Sequence, residues 1–264
     1  LKIKDALSLA KNELKGYENQ AIFILCEHLQ KDRTWLFFNE NFEFDETFYL
    51  SLIKRFKDGE AFEYIFNKAF FWDLEFYIER GVLIPRYDSE ILLSQLLKLC
   101  EKQFFNRILE IGFGSGILSI VLAKILNLKI KACDISQKAF EIAQKNAKIH
   151  RVQSLIDFVL KDFRELRGEF DLIFSNPPYI KNDYKIDKWV SMEPKEALFG
   201  GKKGYEILEE IIEFSVKAKA KVVALEFGFD QKDILEKIFH QNDFKTEFFK
   251  DERGFDRAVL AYKN

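Results

Sequence analysis

Ile3, Leu7, Ala10 and Leu14 recur at alternating spacings of four and three residues, which aligns them along one helical stripe that Gly16 can end. Asn19 can cap a second helix running through Leu29. Asp45 can cap a third, with Phe48, Leu52 and Phe56 on one face. The opening of the chain therefore reads as a bundle of short amphipathic helices. From Phe71 the pattern turns extended: residues 71–79 and 82–85 predict two strands joined at 79–81, a hairpin linking two domains.

Beyond Arg86 strands and helices alternate. A helix carrying Ile91, Leu92, Leu96 and Leu99 leads into apolar strand-like runs at 107–111, 129–134, 156–160, 170–174 and 221–227. Helical patterns at 116–126, 137–150 and 205–218 separate most of them. Such alternation predicts an α/β fold, a parallel sheet covered by helices on both faces. The tail breaks the rhythm, since 245–250 and 257–262 read as two strands joined by a turn-rich link. A C-terminal antiparallel hairpin is expected.

Composition narrows the class. The chain has 264 residues, 48% hydrophobic and 32% charged, with a formal net charge of -2. That balance gives no bulk electrostatic case for nucleic acid or an anionic membrane. Apolar runs such as 21–26 and 117–123 are far shorter than the ~20 residues a bilayer requires, and no charged-then-apolar leader opens the chain. Cys26, Cys100 and Cys133 are scattered, as are His28, His150 and His240, so neither a disulfide framework nor a metal site is expected. A reduced, cytoplasmic protein follows from these features.

Two segments carry chemistry. Glu110-Ile111-Gly112-Phe113-Gly114-Ser115-Gly116 follows a strand and opens a helix, where glycines let the backbone turn tightly and approach a ligand. A dinucleotide fingerprint would need a small residue where Ile117 stands, and no Gly-Lys-Ser/Thr follows for a phosphate loop. Asp134 ends the next strand, where a carboxylate can accept both ribose hydroxyls of an adenosine. The second segment, Asn176-Pro177-Pro178-Tyr179, directly follows the strand at 170–174. Two successive prolines restrict the backbone and each removes an N–H donor. Their carbonyls and the Asn side chain form a rigid array of acceptors beside an aromatic ring, an array matched to a planar substrate bearing an NH2 group.

Together these residues resemble a class I S-adenosylmethionine-dependent methyltransferase with a Rossmann-like sheet. The Asn-Pro-Pro-Tyr form is similar to that of enzymes that methylate adenine, guanine or glutamine nitrogens. Leu83-Ile84-Pro85-Arg86-Tyr87-Asp88-Ser89-Glu90 resembles a segment of the glutamine N5-methyltransferases of peptide chain release factors. Tyr87 stands where that family usually has Pro, and Ser89 where it usually has Thr. Glu193-Pro194, Ala197-Leu198, Gly201 and Gly204 resemble the family's stretch after Asn-Pro-Pro-Tyr, and Leu225-Glu226-Phe227-Gly228, Gln231 and residues 251–257 its C-terminal pattern. The resemblance runs from about Tyr64 to the end.

The resemblance implies a helical substrate-recognition domain over 1–69, a hairpin linker over 70–86 and a methyltransferase domain over 87–264. It implies S-adenosyl-L-methionine as cofactor, released as S-adenosyl-L-homocysteine, held by Glu110, Gly112, Phe113, Gly114, Ser115, Gly116, Asp134, the Asp162-Phe163 pair near the adenine, and Asn176. It implies a monomer whose partners are release factors, methylated on the glutamine of their Gly-Gly-Gln motif. The Asn176 oxygen and the Pro177 carbonyl would accept hydrogen bonds from the substrate NH2, with Pro178 stiffening the loop and Tyr179 packed against the planar group. A DNA or RNA amino-methyltransferase would use the same chemistry, and a non-catalytic protein could retain the fold. Residues 1–80 hold 11 basic and 15 acidic side chains, a balance that favours a protein partner over phosphates.

Overall fold

Helices of three turns or fewer cannot stand alone in water, so the N-terminal elements must pay for their order by packing together. The computed structural model describes residues 1–264 and divides into two units. The first comprises Leu1–Phe66 and the returning segment Lys188–Met192. Its helices are α1 (Ile3–Glu13), α2 (Glu18–Leu29), α3 (Arg33–Phe38), α4 (Glu46–Lys57) and α5 (Phe62–Phe66). Ile3, Ala6, Ala10 and Leu14 bury one stripe against Ile24, Leu25, Leu52 and Ile53. Trp189 of the returning segment lies edge-on to Tyr17, with ring centroids 4.9 Å apart.

Three local expectations meet the structure differently. Asp45 caps α4 as expected, accepting from the Thr47 N–H at 2.9 Å. Asn19 does not cap α2. It lies inside the helix and accepts from Arg33 at 2.7 Å, while Tyr17 holds the cap position. On α4 the buried face is Tyr49, Leu52, Ile53 and Phe56, and Phe48 is exposed. The Tyr49 hydroxyl donates to the Ala21 carbonyl at 3.1 Å, which lets that ring enter the core with its polar end satisfied.

The second unit holds Asn67–Asp187 and Glu193–Asn264. Strands β1 (Lys68–Phe71) and β2 (Leu74–Tyr77) form its opening hairpin. The turn is at Trp72 and Asp73, both with positive φ, rather than at the expected 79–81. The Asn146 side chain clamps the hairpin edge, accepting from the Tyr77 N–H at 2.8 Å and donating to its carbonyl at 3.0 Å.

There follow α6 (Ser89–Lys102), β3 (Ile108–Ile111), α7 (Ile117–Leu126), β4 (Ile130–Asp134), α8 (Gln137–Ile149), β5 (Ile156–Leu160) and β6 (Leu172–Ser175). The short β7 (Ile180–Lys181), α9 (Lys195–Leu198) and β8 (Phe199–Gly201) precede α10 (Glu206–Lys217), β9 (Val222–Glu226), α11 (Lys232–Gln241), β10 (Phe244–Lys250) and β11 (Asp256–Lys263). Seven strands make one sheet in the order β10-β11-β9-β6-β3-β4-β5. All pairings are parallel except those of β11, which runs antiparallel to both neighbours and supplies the expected C-terminal hairpin. Every residue of β3, β6 and β9 is buried, the pattern of strands covered on both faces. No helix is long and apolar enough to cross a membrane.

From β3 the chain moves outward through β4 and β5, then returns to place β6 on the other side of β3. The loops leaving β3 and β6 therefore part in opposite directions, and a crevice opens at the carboxyl ends of these strands. Small β8 lines up beside β7 at the end of the loop that leaves β6. There the backbone leaves no room for a side chain: a Cβ on Gly200 would come within 2.4 Å of the Pro178 carbonyl oxygen and 2.3 Å of that of Gly204. Gly200→Ala should therefore destabilise the fold by ~1–3 kcal/mol through overpacking. Urea denaturation checks this, and an unchanged midpoint would show that the two segments are not in close register.

Candidate active site

The crevice holds a cavity of about 200 Å³ lined by the ends of β3, β4, β5 and β6. Its floor is the turn after β3. Gly112, Gly114 and Gly116 all have positive φ, and a Cβ added to Gly112 or Gly114 would meet nothing within 4 Å. Bare backbone thus faces the open space, as close approach of a ligand requires. Gly116 differs, because a Cβ there would press on Ile120 and Ala143 at 3.0 and 3.2 Å. That glycine serves the packing of α7. The Phe113 ring is buried edge-on to Phe158, and the Ser115 carbonyl accepts from Asn146 at 2.9 Å.

Two carboxyls stand over this turn. Asp134 ends β4 and accepts from the Gly114 N–H and from the Ser136 N–H, each at 2.9 Å, so it ties the two loops together. The Ile135 N–H also bonds this carboxylate, which retains acceptor capacity toward the cavity it lines. Burial raises its pKa while these N–H groups pull the other way. Glu110 is fully buried, and the Ser119 hydroxyl donates to it. Burial pushes its carboxyl up to about 8, and the neighbouring Asp134 charge adds to the shift. Asp162 and Phe163 follow β5 on the same rim. Asp162 accepts from the Arg164 N–H at 2.9 Å, and the Phe163 ring lies under the Arg164 guanidinium.

The opposite wall is the loop after β6. The Ser175 hydroxyl donates to the Ile111 carbonyl at 2.6 Å and fixes where that loop departs. Asn176, Pro177 and Pro178 line the cavity. Tyr179 does not line it. Its ring packs on the apolar core and its hydroxyl donates to Glu226 at 3.0 Å, so it anchors the loop instead of forming a wall for a planar group. Burial, with the Glu226 charge beside it, raises the Tyr179 hydroxyl well above its usual pKa. The loop's far end is held by Gln231, which donates to the Tyr179 carbonyl and accepts from the Gly228 N–H, each at 2.9 Å. Arg86 and the Ile84 N–H both donate to the buried Glu193.

Residues 87–193 match the family model described as Methyltransferase small domain. The chain is 33% identical over 279 residues to a release factor glutamine methyltransferase of Dictyoglomus turgidum, a match covering 97% of each chain. It is 32% identical over 282 residues to one of Clostridium acetobutylicum, across 100% of this chain and 99% of the relative. The chain belongs to the release factor glutamine methyltransferase family. In fold, this methyltransferase is similar to a methyltransferase from Pyrococcus furiosus, with a TM-score of 0.56 at 20% identity over 73% of this chain and 90% of that one.

The structure gathers the residues singled out at 110–115, Asp134, 162–163 and 176–178 around one cavity, whereas Gly116 does not line it and faces Ile120 and Ala143. Bare glycine backbone beside a half-buried carboxylate with free lone pairs fits a nucleoside carrying vicinal hydroxyls. Ser89, Glu226 and Gln231 had no assigned role in the sequence reading, although an acid closing the wholly apolar strand β9 was a usable signal.

Because Glu110 is buried with a raised pKa, the native protein keeps a proton that the unfolded chain releases. Its stabilising contribution is full below the unfolded value and is lost as pH rises through about 8. Glu110→Gln abolishes that titration. Relative to wild type, the variant's unfolding free energy should climb between pH of about 5 and about 8, as measured by urea denaturation. A gap that stays constant over that range would show that Glu110 does not titrate in a buried site.

Proposed function

We propose that the protein transfers the methyl group of S-adenosyl-L-methionine to the side-chain amide nitrogen of the glutamine in the Gly-Gly-Gln motif of peptide chain release factors, leaving S-adenosyl-L-homocysteine. The observation that carries this reading is full-length similarity to release factor glutamine methyltransferases, joined to an acceptor-rich loop on the cavity wall. The cofactor, when bound, supplies an electrophilic methyl on a sulfonium sulfur.

Asp134 would accept the two ribose hydroxyls, and the Gly112–Gly116 turn would lie against the remainder, with Glu110 beneath it. Asp162 and Phe163, which line the same cavity, would lie against the base. An amide nitrogen is a poor nucleophile because its lone pair is delocalised into the carbonyl. Asn176 and the Pro177 carbonyl offer acceptors that hold both N–H bonds and favour the pyramidal nitrogen that attacks. As the N–C bond forms, one N–H proton becomes acidic and passes to water. The prolines keep the acceptors fixed, and such positioning can contribute ~7–11 kcal/mol in favourable cases. The helical unit, with its excess of acidic side chains, is the candidate for recognising a protein partner.

Two outcomes are expected. Asp134→Ala should bind S-adenosyl-L-methionine about tenfold more weakly or worse by calorimetry, because charge-assisted bonds of ~1.5–3 kcal/mol are lost. Unchanged affinity would remove Asp134 from the cofactor site. Mass spectrometry of release factor incubated with enzyme and cofactor should find a single methyl on the Gly-Gly-Gln glutamine. Methyl groups on DNA or ribosomal RNA, with release factor untouched, would overturn the substrate assignment.

A further inference from the structure

Pro177 and Pro178 have no N–H to give, so the acceptor loop cannot fix itself through its own backbone. Partners elsewhere in the chain must hold it. At its entry the Asn176 side chain donates from Nδ2 to Ser89 Oγ at 2.9 Å. At its exit two bonds converge on Tyr179. The hydroxyl donates to Glu226 at the end of β9, and the carbonyl accepts from Gln231 Nε2 at 2.9 Å. Gln231 is 3% exposed and does not line the cavity.

The direction in which the Gln231 amide lies is decided by backbone groups that have no choice. The Gly228 N–H can only donate, and it meets Oε1 at 2.9 Å. The Tyr179 carbonyl can only accept, so Nε2 must face it. Two glycines make room for the amide. A Cβ on Gly228 would stand 3.1 Å from Oε1, and one on Gly204 would stand 3.1 Å from Nε2 and 2.7 Å from the Tyr179 carbonyl oxygen. The place of Gln231 in the chain points the same way. It immediately precedes α11, where Ser, Thr, Asp or Asn would ordinarily cap the helix. Its side chain makes no capping bond and is given to the loop instead.

We propose that Gln231 is a positioning residue for methyl transfer, its amide fixing the Tyr179 carbonyl and, through the two rigid prolines, the acceptors at Asn176 and Pro177. The inference deepens the proposed function and rests on it for the reaction that is measured. Misplacing reacting groups by about 1 Å costs on the order of a hundredfold in rate, and losing one tether of several should cost part of that. Cofactor affinity should hold, because Asp134 and the glycine turn belong to the opposite wall.

Gln231→Glu tests the polarity of the contact. A protonated carboxyl matches the amide, one oxygen accepting from the Gly228 N–H and the other donating to the Tyr179 carbonyl. An ionised carboxyl still accepts from Gly228 but sets a second acceptor against Tyr179. Burial raises the introduced carboxyl above its usual ~4.3. The ratio of variant to wild-type kcat should therefore lie near unity at pH of about 5 and fall by about tenfold or more toward pH of about 9, with cofactor affinity held within about twofold. The titratable side chains carried by the enclosing segments, Tyr179, Lys181, Lys203, Glu226, Asp230, Lys232 and Asp233, are common to both proteins, so the ratio isolates position 231.

A second readout needs no turnover. Asn182 follows the loop, and its N–H donates to the Gly201 carbonyl at 3.0 Å. In cofactor-free Gln231→Ala, hydrogen exchange at that amide should quicken about tenfold or more while the amides of β6 keep their wild-type protection. A kcat ratio that stays flat over the pH range, unchanged exchange at Asn182, or equal quickening throughout β6 would each overturn the inference. Where Gln231→Ala does not fold, Gln231→Glu takes its place in the exchange measurement, read at the alkaline end. A wild-type enzyme that leaves release factor unmethylated would overturn the proposed function, and the exchange comparison would then judge Gln231 alone.

Discussion

Carbonyl oxygens that are to receive a substrate must stay unpaired in the free protein without the segment that carries them drifting. The loop after β6 meets this constraint by being held everywhere except on its cavity side. Ser175 fixes its start on β3, Gln231 fixes the Tyr179 carbonyl, and Glu226 takes the Tyr179 hydroxyl. The prolines remove backbone donors that would otherwise seek partners of their own. Behind the loop, Gly200 allows the β8 backbone to approach so closely that the Pro178 carbonyl cannot retreat.

The same economy governs the wall at the ends of β3 and β4. Asp134 accepts from backbone N–H groups of both neighbouring loops and still faces the cavity with acceptor capacity left over. Glu110 is sunk below the turn with its proton stabilised by burial, so the floor is shaped by a carboxyl that carries little charge near neutrality. Both walls stand at the place where strand order reverses, which is why residues from four separate strand ends meet there.

Much of this was legible in the sequence. The alternation of apolar strands and amphipathic helices is strong because β3, β6 and β9 are buried on both faces. The glycine turn and the Asn-Pro-Pro-Tyr segment carry their geometry in their composition. Elements set by competition between weak local signals were less legible. Asn19 is a good cap by type but found Arg33, and the hairpin turned at Trp72-Asp73 although Gly81 offered an easier positive φ. Tyr179 was read as a wall for the substrate because an aromatic beside acceptors suggests stacking. Its partner, Glu226, lies 47 residues further along the chain, and no local pattern announces such a contact. The link between Asn176 and Ser89 spans 87 residues and is equally silent in the sequence.

The central claim is that a pinned loop, stripped of two backbone donors by its prolines, presents acceptors to an amide nitrogen. A crystal structure of the protein with S-adenosyl-L-homocysteine and a peptide containing Gly-Gly-Gln tests it most directly. The account predicts the glutamine amide nitrogen at ~2.7–3.2 Å from both the Asn176 Oδ1 and the Pro177 carbonyl oxygen. A glutamine amide seated away from these atoms, or an Asn176 amide turned with its nitrogen toward the substrate, would contradict it.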